Sequence, residues 1–414
     1  ARQPTAPHLI NPELPTTLSN IILKLLAKDA AQRYQSSYGL CHDINTCLEQ
    51  ALSAKIQDFP VGSNDVSERF ELPQKLYGRS SAVAQLKTCF DNTTAGEQSM
   101  ALITGYAGVG KSSVVHEIRH YISQHHGLFA SGKFDQYHRN RPYTAIYQAM
   151  QTLVRQLLTE PDEQIQHWRA NLQEAFGSNA QVLLKLIPEL ELIIGPQPTA
   201  PGLSPSEEQH RFSHIFRQML KVFASAEHPL VLFFDDLHWA DLSSLTLLEK
   251  LAQHPQHPHL LIIGSYRDQE FNQTHPFQLS LQRLKSSPLR LFQFEIKALK
   301  LKDIQNLIAE TLGHSTAQSE PLAKICFEKT QGNPFFLKQF LLDLYEKRLI
   351  RFQGNCWTWN ESEIRSREIT DNVIDFMVDK IRRLSVQTQS VLQIAACIGN
   401  PVALPVLAAV CEQS

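Results

Sequence analysis

Four short apolar runs punctuate the middle of the chain: "MALIT" at 100–104, "GLFASGKF" at 127–134, "PLVLFFDD" at 229–236 and "HLLIIGSYRD" at 259–268. Each has the length of a strand, and helix-period segments separate them, the alternation that gives a parallel sheet covered on both faces. Between the second and third runs lies a long helical insertion, about 140–225, with Ile146, Met150, Leu153 and Leu157 on one helical face. The break "IIGPQPTAPGLSP" precedes its last helix, about 207–225. Past residue 275 strands give way to helices at about 301–312, 317–330 and 335–349. "LIRFQGNCWTW" then reads as a hairpin about Gly354 and Asn355, with Trp357 and Trp359 on one face, before helices resume at about 370–383 and 385–397.

Ahead of the α/β body, residues 1–16 are proline-rich and extended. "TLSNIILKLLAKDAAQRYQS" follows, with Ile21, Ile22, Leu25 and Leu26 on one helical face, and a second helix is expected at about 36–54. The expected layout is therefore an all-α segment over 1–54, a polar linker over 55–75 and an α/β domain over 76–275. A helical lid over 276–334 and a winged-helix-like unit over 335–414, cut short at its end, would follow.

Composition narrows the class only a little. Apolar residues make up 43% and charged ones 19%, the balance of a soluble globular protein. Lys plus Arg number 39 against 41 Asp plus Glu, which argues against a dedicated nucleic-acid binder but not against a local basic face. The cysteines are odd in number and scattered without a C-x-x-C pair, the pattern of reduced thiols in a cytoplasmic protein. No apolar run approaches the roughly 20 residues that span a bilayer, and no signal peptide is evident. A start at Ala1 and a stop inside the apolar "PVALPVLAAV" suggest a piece of something longer. "HPQHPH" and "HH" lack a companion ligand set and read as loop histidines.

Candidate chemistry begins where the first strand ends. Gly105-Tyr106-Ala107-Gly108-Val109-Gly110-Lys111-Ser112, continued by Ser113, satisfies G-x-x-x-x-G-K-[ST] between a strand and a helix. The glycines let the backbone curl so that several N–H groups face a phosphate, and the helix that follows aims its positive dipole end at the same place. Lys111 would reach the β- and γ-phosphates of ATP or ADP, and Ser112 would bind Mg²⁺. "LVLFFDD" ends in paired carboxylates at a strand tip, where Asp235 would hold Mg²⁺ and Asp236 would polarise the attacking water. Arg267, after the fourth strand, would sit near the γ-phosphate; the alternative is a surface arginine paired with Asp268. His238 and Trp239 follow the carboxylates, with Trp239 read as packing and His238 left open.

"LYGR", the phosphate loop, "FFDDLHWAD", "GSYRD" and "QGNPFF" occur in one order that resembles the AAA-type, origin-recognition-like ATPase module of the STAND signal-transduction NTPases. The resemblance spans about 70–414. It implies that Leu76, Tyr77, Gly78 and Arg79 pack around the adenine and that Pro334, in Gly332-Asn333-Pro334, touches the base or ribose. Ser80 departs from the acidic residue that often follows "GR" in that family. "GKFDQYHRNRPYTAIYQAMQTLVRQLL", "IPELELIIGPQP" and "THPFQL" further resemble multidomain signalling proteins that join a Ser/Thr kinase-like domain, this ATPase, a GAF sensor and a histidine kinase. Residues 1–50 resemble the last helices of a protein-kinase C-lobe, with Arg33 at the position of a structural arginine. No Gly-rich kinase loop, H-R-D or D-F-G precedes them, so no phosphorylation of protein is expected from this chain alone.

The expectation is thus a slowly hydrolysing ATP switch whose partners are other domains of its own polypeptide, with self-association open. The alternatives are an ADP-stabilised scaffold and, third, a DNA-binding ATPase. Arg139, Arg141 and Arg211 are candidate internal donors to the phosphates, and no spacing selects among them.

Overall fold

The computed structural model describes residues 4–53, 56–63, 65–136, 142–177, 180–197, 205–254, 256–270, 272, 274–366, 378, 380–382, 384–398, 402 and 404–411. They divide into two compact units, one drawn from 1–77 and 299–373, the other from 78–298 and 374–414.

The second unit is built on a five-stranded parallel sheet of β1 (Ser99–Thr104), β2 (Leu128–Lys133), β3 (Leu230–Asp235), β4 (Leu260–Tyr266) and β5 (Arg290–Glu295). Their order is β2-β3-β4-β1-β5, every neighbour parallel. β4 is buried at every position and β1 and β3 at all but the last, which is why these strands read as unbroken apolar runs. β5 is the strand that the sequence pattern missed. It lies at an edge, has no fully buried position, and its "RLFQFE" carries too few apolar residues to stand out. The α/β body accordingly continues past residue 275, through helix Pro276–Lys285 and β5.

The helical insertion packs on β2. Ile146, Met150, Leu153 and Leu157 of helix Thr144–Leu157 are all buried, as their spacing predicts. Gly132 permits the approach: a Cβ there would sit 1.8 Å from the carbonyl oxygen of Ala145. Helices Asp162–Phe176 and Pro205–Phe223 complete this layer, with Trp168 stacked on Phe223 at 5.4 Å between ring centres. Helices Val386–Ile398 and Leu404–Cys411 also occur, without a buried residue.

The first unit gathers the N-terminal helices, the segment expected as a linker, and residues 299–366. Ser36 caps helix Ser37–Leu52 through Gly39 N. Helix Thr16–Leu25 forms as well, but of its expected apolar face only Ile21 is buried, while Ile22, Leu25 and the following Leu26 are exposed. Arg33 donates from Nε to Ala27 O at 2.8 Å. Val66, Phe70 and Leu72 pack against a cluster that includes Ile304, Leu322, Phe340, Trp357 and Ile364, so the helices expected as a lid and the hairpin beyond them share one core. That hairpin pairs β6 (Ile350–Gln353) with β7 (Cys356–Trp359) across Gly354 and Asn355, both at positive φ. Trp357 is buried and donates from Nε1 to Ser67 O at 3.1 Å. In "QGNP", Gly332 lies at φ 74° against Leu299, and Asn333 caps helix Pro334–Glu346 by accepting from Phe335 N and Phe336 N. The helix expected at about 370–383 falls almost wholly outside the described residues.

Candidate phosphate site

Three strand ends meet at one edge of the sheet, because β1, β3 and β4 run parallel and β4 lies between the other two. Their C-terminal residues therefore converge on the loop from Gly105 to Gly110, the place where ligands sit in open α/β sheets.

The loop has the backbone that its glycines allow. Gly105, Gly108 and Gly110 lie at φ 149°, 72° and 97°. At Gly105 space is limiting as well, since a Cβ would come within 2.5 Å of Ile296 O. At Gly110 nothing lies within 4 Å, so the requirement there is conformational alone. Gly110 precedes helix Lys111–Glu117, whose first N–H groups point back into the loop. Val109 is buried, Tyr106 is exposed, and Arg79, itself buried, donates from Nη2 to Val109 O at 3.0 Å. Arg79 thus braces the loop at Val109.

Lys111 is buried and donates from Nζ to Gly105 O at 2.7 Å and Tyr106 O at 3.0 Å. Burial pushes its ammonium below the ordinary lysine value. The Arg267 charge works in the same direction, and Asp236, Asp235 and Glu270 oppose it. Ser112 Oγ donates to Asp235 Oδ2 at 2.8 Å, and Ser265 Oγ donates to Asp235 Oδ1. A hydroxyl from the loop helix, a carboxylate from β3 and a hydroxyl from β4 thus meet on one side chain.

Asp236 stands apart from Asp235 in both backbone and partners. It lies in the left-handed region at φ 55°, ψ 47°, a conformation that costs a non-glycine residue about 1 kcal/mol or more. Its N–H donates to Ser265 Oγ at 3.2 Å, and its buried carboxylate faces Lys133 Nζ at 3.3 Å and Arg267 Nε at 3.4 Å. Arg267 also pairs with Glu270 through Nη1 at 2.5 Å, so its carboxylate partners are Asp236 and Glu270 rather than Asp268. His238 is buried with Nε2 2.9 Å from Glu270 Oε2.

The structure therefore brings together Lys111, Ser112, Asp235, Asp236 and Arg267. It adds Ser265, Lys133 and Glu270, which the sequence reading passed over. Each sits at or just past a strand end, in "GKF", "GSY" and "YRDQE", and strand adjacency is what would have picked them out. Ala107 and Ser113 lie in the loop and its helix, and Gly78 lies next to Arg79. Leu76, Tyr77 and Pro334 belong to the first unit, and their base-facing role rests on the resemblance alone. Arg139 and Arg141 fall outside the described residues, and Arg211, in helix Pro205–Phe223, is half-buried. Among the described residues no cluster of His, Cys, Asp and Glu forms a further metal site, and no helix is long and apolar enough to cross a membrane.

A glycine-rich loop leading into a helix, with a carboxylate pair at the end of a parallel strand one place removed in the same sheet, defines a P-loop NTPase fold. Residues 75–263 match the family model described as AAA ATPase domain. Over its whole length the chain is 30% identical to part of hybrid signal transduction histidine kinase G of Dictyostelium discoideum. Over 97% of its length it is 21% identical to part of peroxide stress-activated histidine kinase mak3 of Schizosaccharomyces pombe. It spans only 14% and 20% of these relatives. Among solved structures, a Signal Transduction ATPase with Numerous Domains (STAND) protein with a tetratricopeptide repeat sensor, from Pyrococcus horikoshii, aligns with a TM-score of 0.40 at 13% identity, over 82% of this chain and 37% of that one.

Proposed function

We propose that the chain is an ATP-binding, slowly hydrolysing switch of the STAND type, acting inside a multidomain signal-transduction kinase. The observation that carries this reading is the meeting of Ser112 with Asp235 beside a loop-held Lys111 and an Asp236 paired with two cations.

In this reading the β-phosphate lies against the N–H groups of residues 106–113. Lys111 exchanges its bonds to Gly105 O and Tyr106 O for phosphate oxygens, a stronger charge-assisted pairing. Ser112 and Asp235 offer a hydroxyl and a carboxylate, the hard oxygen donors that suit Mg²⁺, and would hold the ion that accompanies the nucleotide. Bound there, Mg²⁺ supplies positive charge to the phosphate oxygens. Asp236 orients the attacking water, and Arg267 stabilises charge on the γ-phosphate.

Slow turnover follows from the pairing of Asp236. A carboxylate that faces Lys133 and Arg267 has part of its lone-pair capacity turned towards those cations and away from water. The same pairing favours a second reading, an ADP-stabilised scaffold with little turnover. Partners in either case are domains of the same signalling polypeptide, such as kinase, GAF and histidine-kinase segments, or a second copy of the chain.

A switch needs a nucleotide-dependent difference between two states, and a coupling of a few kcal/mol suffices. Hydrogen exchange of the purified chain with Mg-ADP and with a non-hydrolysable Mg-ATP analogue tests for it. The switch reading expects protection to differ between the two over continuous segments away from residues 105–113. Identical patterns would leave the scaffold reading in its place.

A further inference from the structure

The turn after β4 carries a carboxylate with no part in the reading above. Glu270 N approaches Arg267 O at 3.4 Å, so four residues double back and set the Glu270 side chain beside that of Arg267. Its two oxygens serve different partners: Oε1 meets Arg267 Nη1 at 2.5 Å, and Oε2 meets His238 Nε2 at 2.9 Å.

The chemistry of this pair fixes who donates. Burial holds the His238 imidazole below its ordinary value, against the pull of Asp236 and Glu270, so the ring is neutral near pH 7. Burial alone would raise Glu270, but the hydrogen bond and charge of Arg267, with His238 behind them, hold it below the usual carboxylate range. An ionised carboxylate can only accept, so the proton lies on His238 Nε2 and the ring donates. His238 is 1% exposed and cannot swing away without opening the core. The anchor runs from a fixed ring to Glu270, from Glu270 to Arg267, and from Arg267 Nε to Asp236 Oδ1 at 3.4 Å.

Such an anchor has two effects on a flexible cation. It removes rotamer freedom that Arg267 would otherwise lose on meeting a phosphate. It also keeps the guanidinium from closing fully on Asp236, the next carboxylate in reach. Arg267 Nε faces Asp236 without a hydrogen bond, and Nη2 has no partner among the described residues. Glu270 is thus the one carboxylate among them that the guanidinium donates to, and Nη2 keeps both of its N–H groups for a further acceptor.

We propose that Glu270, seated by His238, is a positioning residue that aims Arg267 at the γ-phosphate, so that this carboxylate–imidazole pair sets how the site tells ATP from ADP. The proposal rests on the reading that residues 105–113 bind ATP, and it names the residues that give that site its preference. Without Glu270, Arg267 closes on Asp236, and both are withdrawn from the nucleotide.

The test is calorimetric binding of Mg-ADP and Mg-AMP-PNP to the full chain. It compares wild type, Lys111→Ala, Arg267→Ala, Glu270→Ala and the Arg267→Ala/Glu270→Ala double variant, with Glu270→Gln as a size-preserving substitute should the alanine variant not fold. Wild type is expected to prefer AMP-PNP by about tenfold, the worth of one charge-assisted hydrogen bond. Glu270→Ala is expected to lose most of that preference while ADP affinity stays within about threefold, and the double variant should behave as Arg267→Ala alone, since one residue acts through the other. A merely structural Glu270 would weaken both nucleotides together. Wild type without a preference, a Glu270→Ala variant that keeps it, or losses that multiply in the double variant would overturn the inference. Failure of wild type to bind either nucleotide, or binding that survives Lys111→Ala, would instead overturn the ATP reading and this inference with it.

Discussion

Ser112 and Asp235, 123 positions apart in the chain, meet in a 2.8 Å hydrogen bond from Oγ to Oδ2. β4 lies between the strands that deliver them, and its Ser265 donates to the other oxygen of Asp235, so this carboxylate is oriented from two sides. An oriented carboxylate beside a hydroxyl is what a small hard cation requires. Asp235→Asn should therefore reduce the Mg²⁺-dependent gain in ATP affinity about tenfold or more. Calorimetry with and without Mg²⁺ checks this, and an unchanged gain would remove Asp235 from the cation site.

Gly132 sets the distance between β2 and helix Thr144–Leu157. A methyl group at this position would collide with the Ala145 backbone, which cannot move aside as a flexible side-chain end would. Gly132→Ala should cost about 1–3 kcal/mol, read as a lower urea midpoint. A midpoint within experimental error of wild type would mean that the helix shifts without loss.

His257 offers a pH test of the same body. It is buried, and burial, with the Lys221 and Arg217 charges, pushes its imidazole down to about 4. The unfolded chain takes up this proton near pH 6.5 and the folded chain does not, so stability falls as pH drops from about 6.5 towards 4. The loss is at most about 3 kcal/mol and ends below 4, where both states are protonated. His257→Leu should show a smaller drop in urea midpoint between pH 7 and pH 5 than wild type. An equal drop would place the acid sensitivity in other groups.

Trp357 ties the hairpin to the segment at 66–72. It donates to Ser67 O and makes an edge contact with Phe70 at 5.5 Å between ring centres. Trp357→Ala should cost about 3–5 kcal/mol in this unit and speed amide exchange across residues 66–72. Unchanged exchange there would show that the segment is held by other contacts.

Legibility in the sequence followed burial. β1, β3 and β4 are buried on both faces, so their apolar runs stand out, and the phosphate loop and the paired aspartates are contiguous strings that spacing alone exposes. β5 was hidden because an edge strand needs few apolar residues. Lys133, Ser265 and Glu270 were hidden for another reason: each belongs to the site through strand order, which no single string encodes. The segment at 55–75 looked like a linker because Val66, Phe70 and Leu72 are spread among polar residues, yet each finds an apolar neighbour in the first unit.

The central claim is that the nucleotide held at Lys111 is hydrolysed, slowly, with Asp236 orienting the water. Multiple-turnover phosphate release by the purified chain, run beside Asp236→Asn and Lys111→Ala, tests it most directly. The account predicts slow but measurable release by wild type, loss of about a hundredfold or more in Asp236→Asn with ATP binding retained, and loss of both in Lys111→Ala. Equal rates in all three proteins would contradict it.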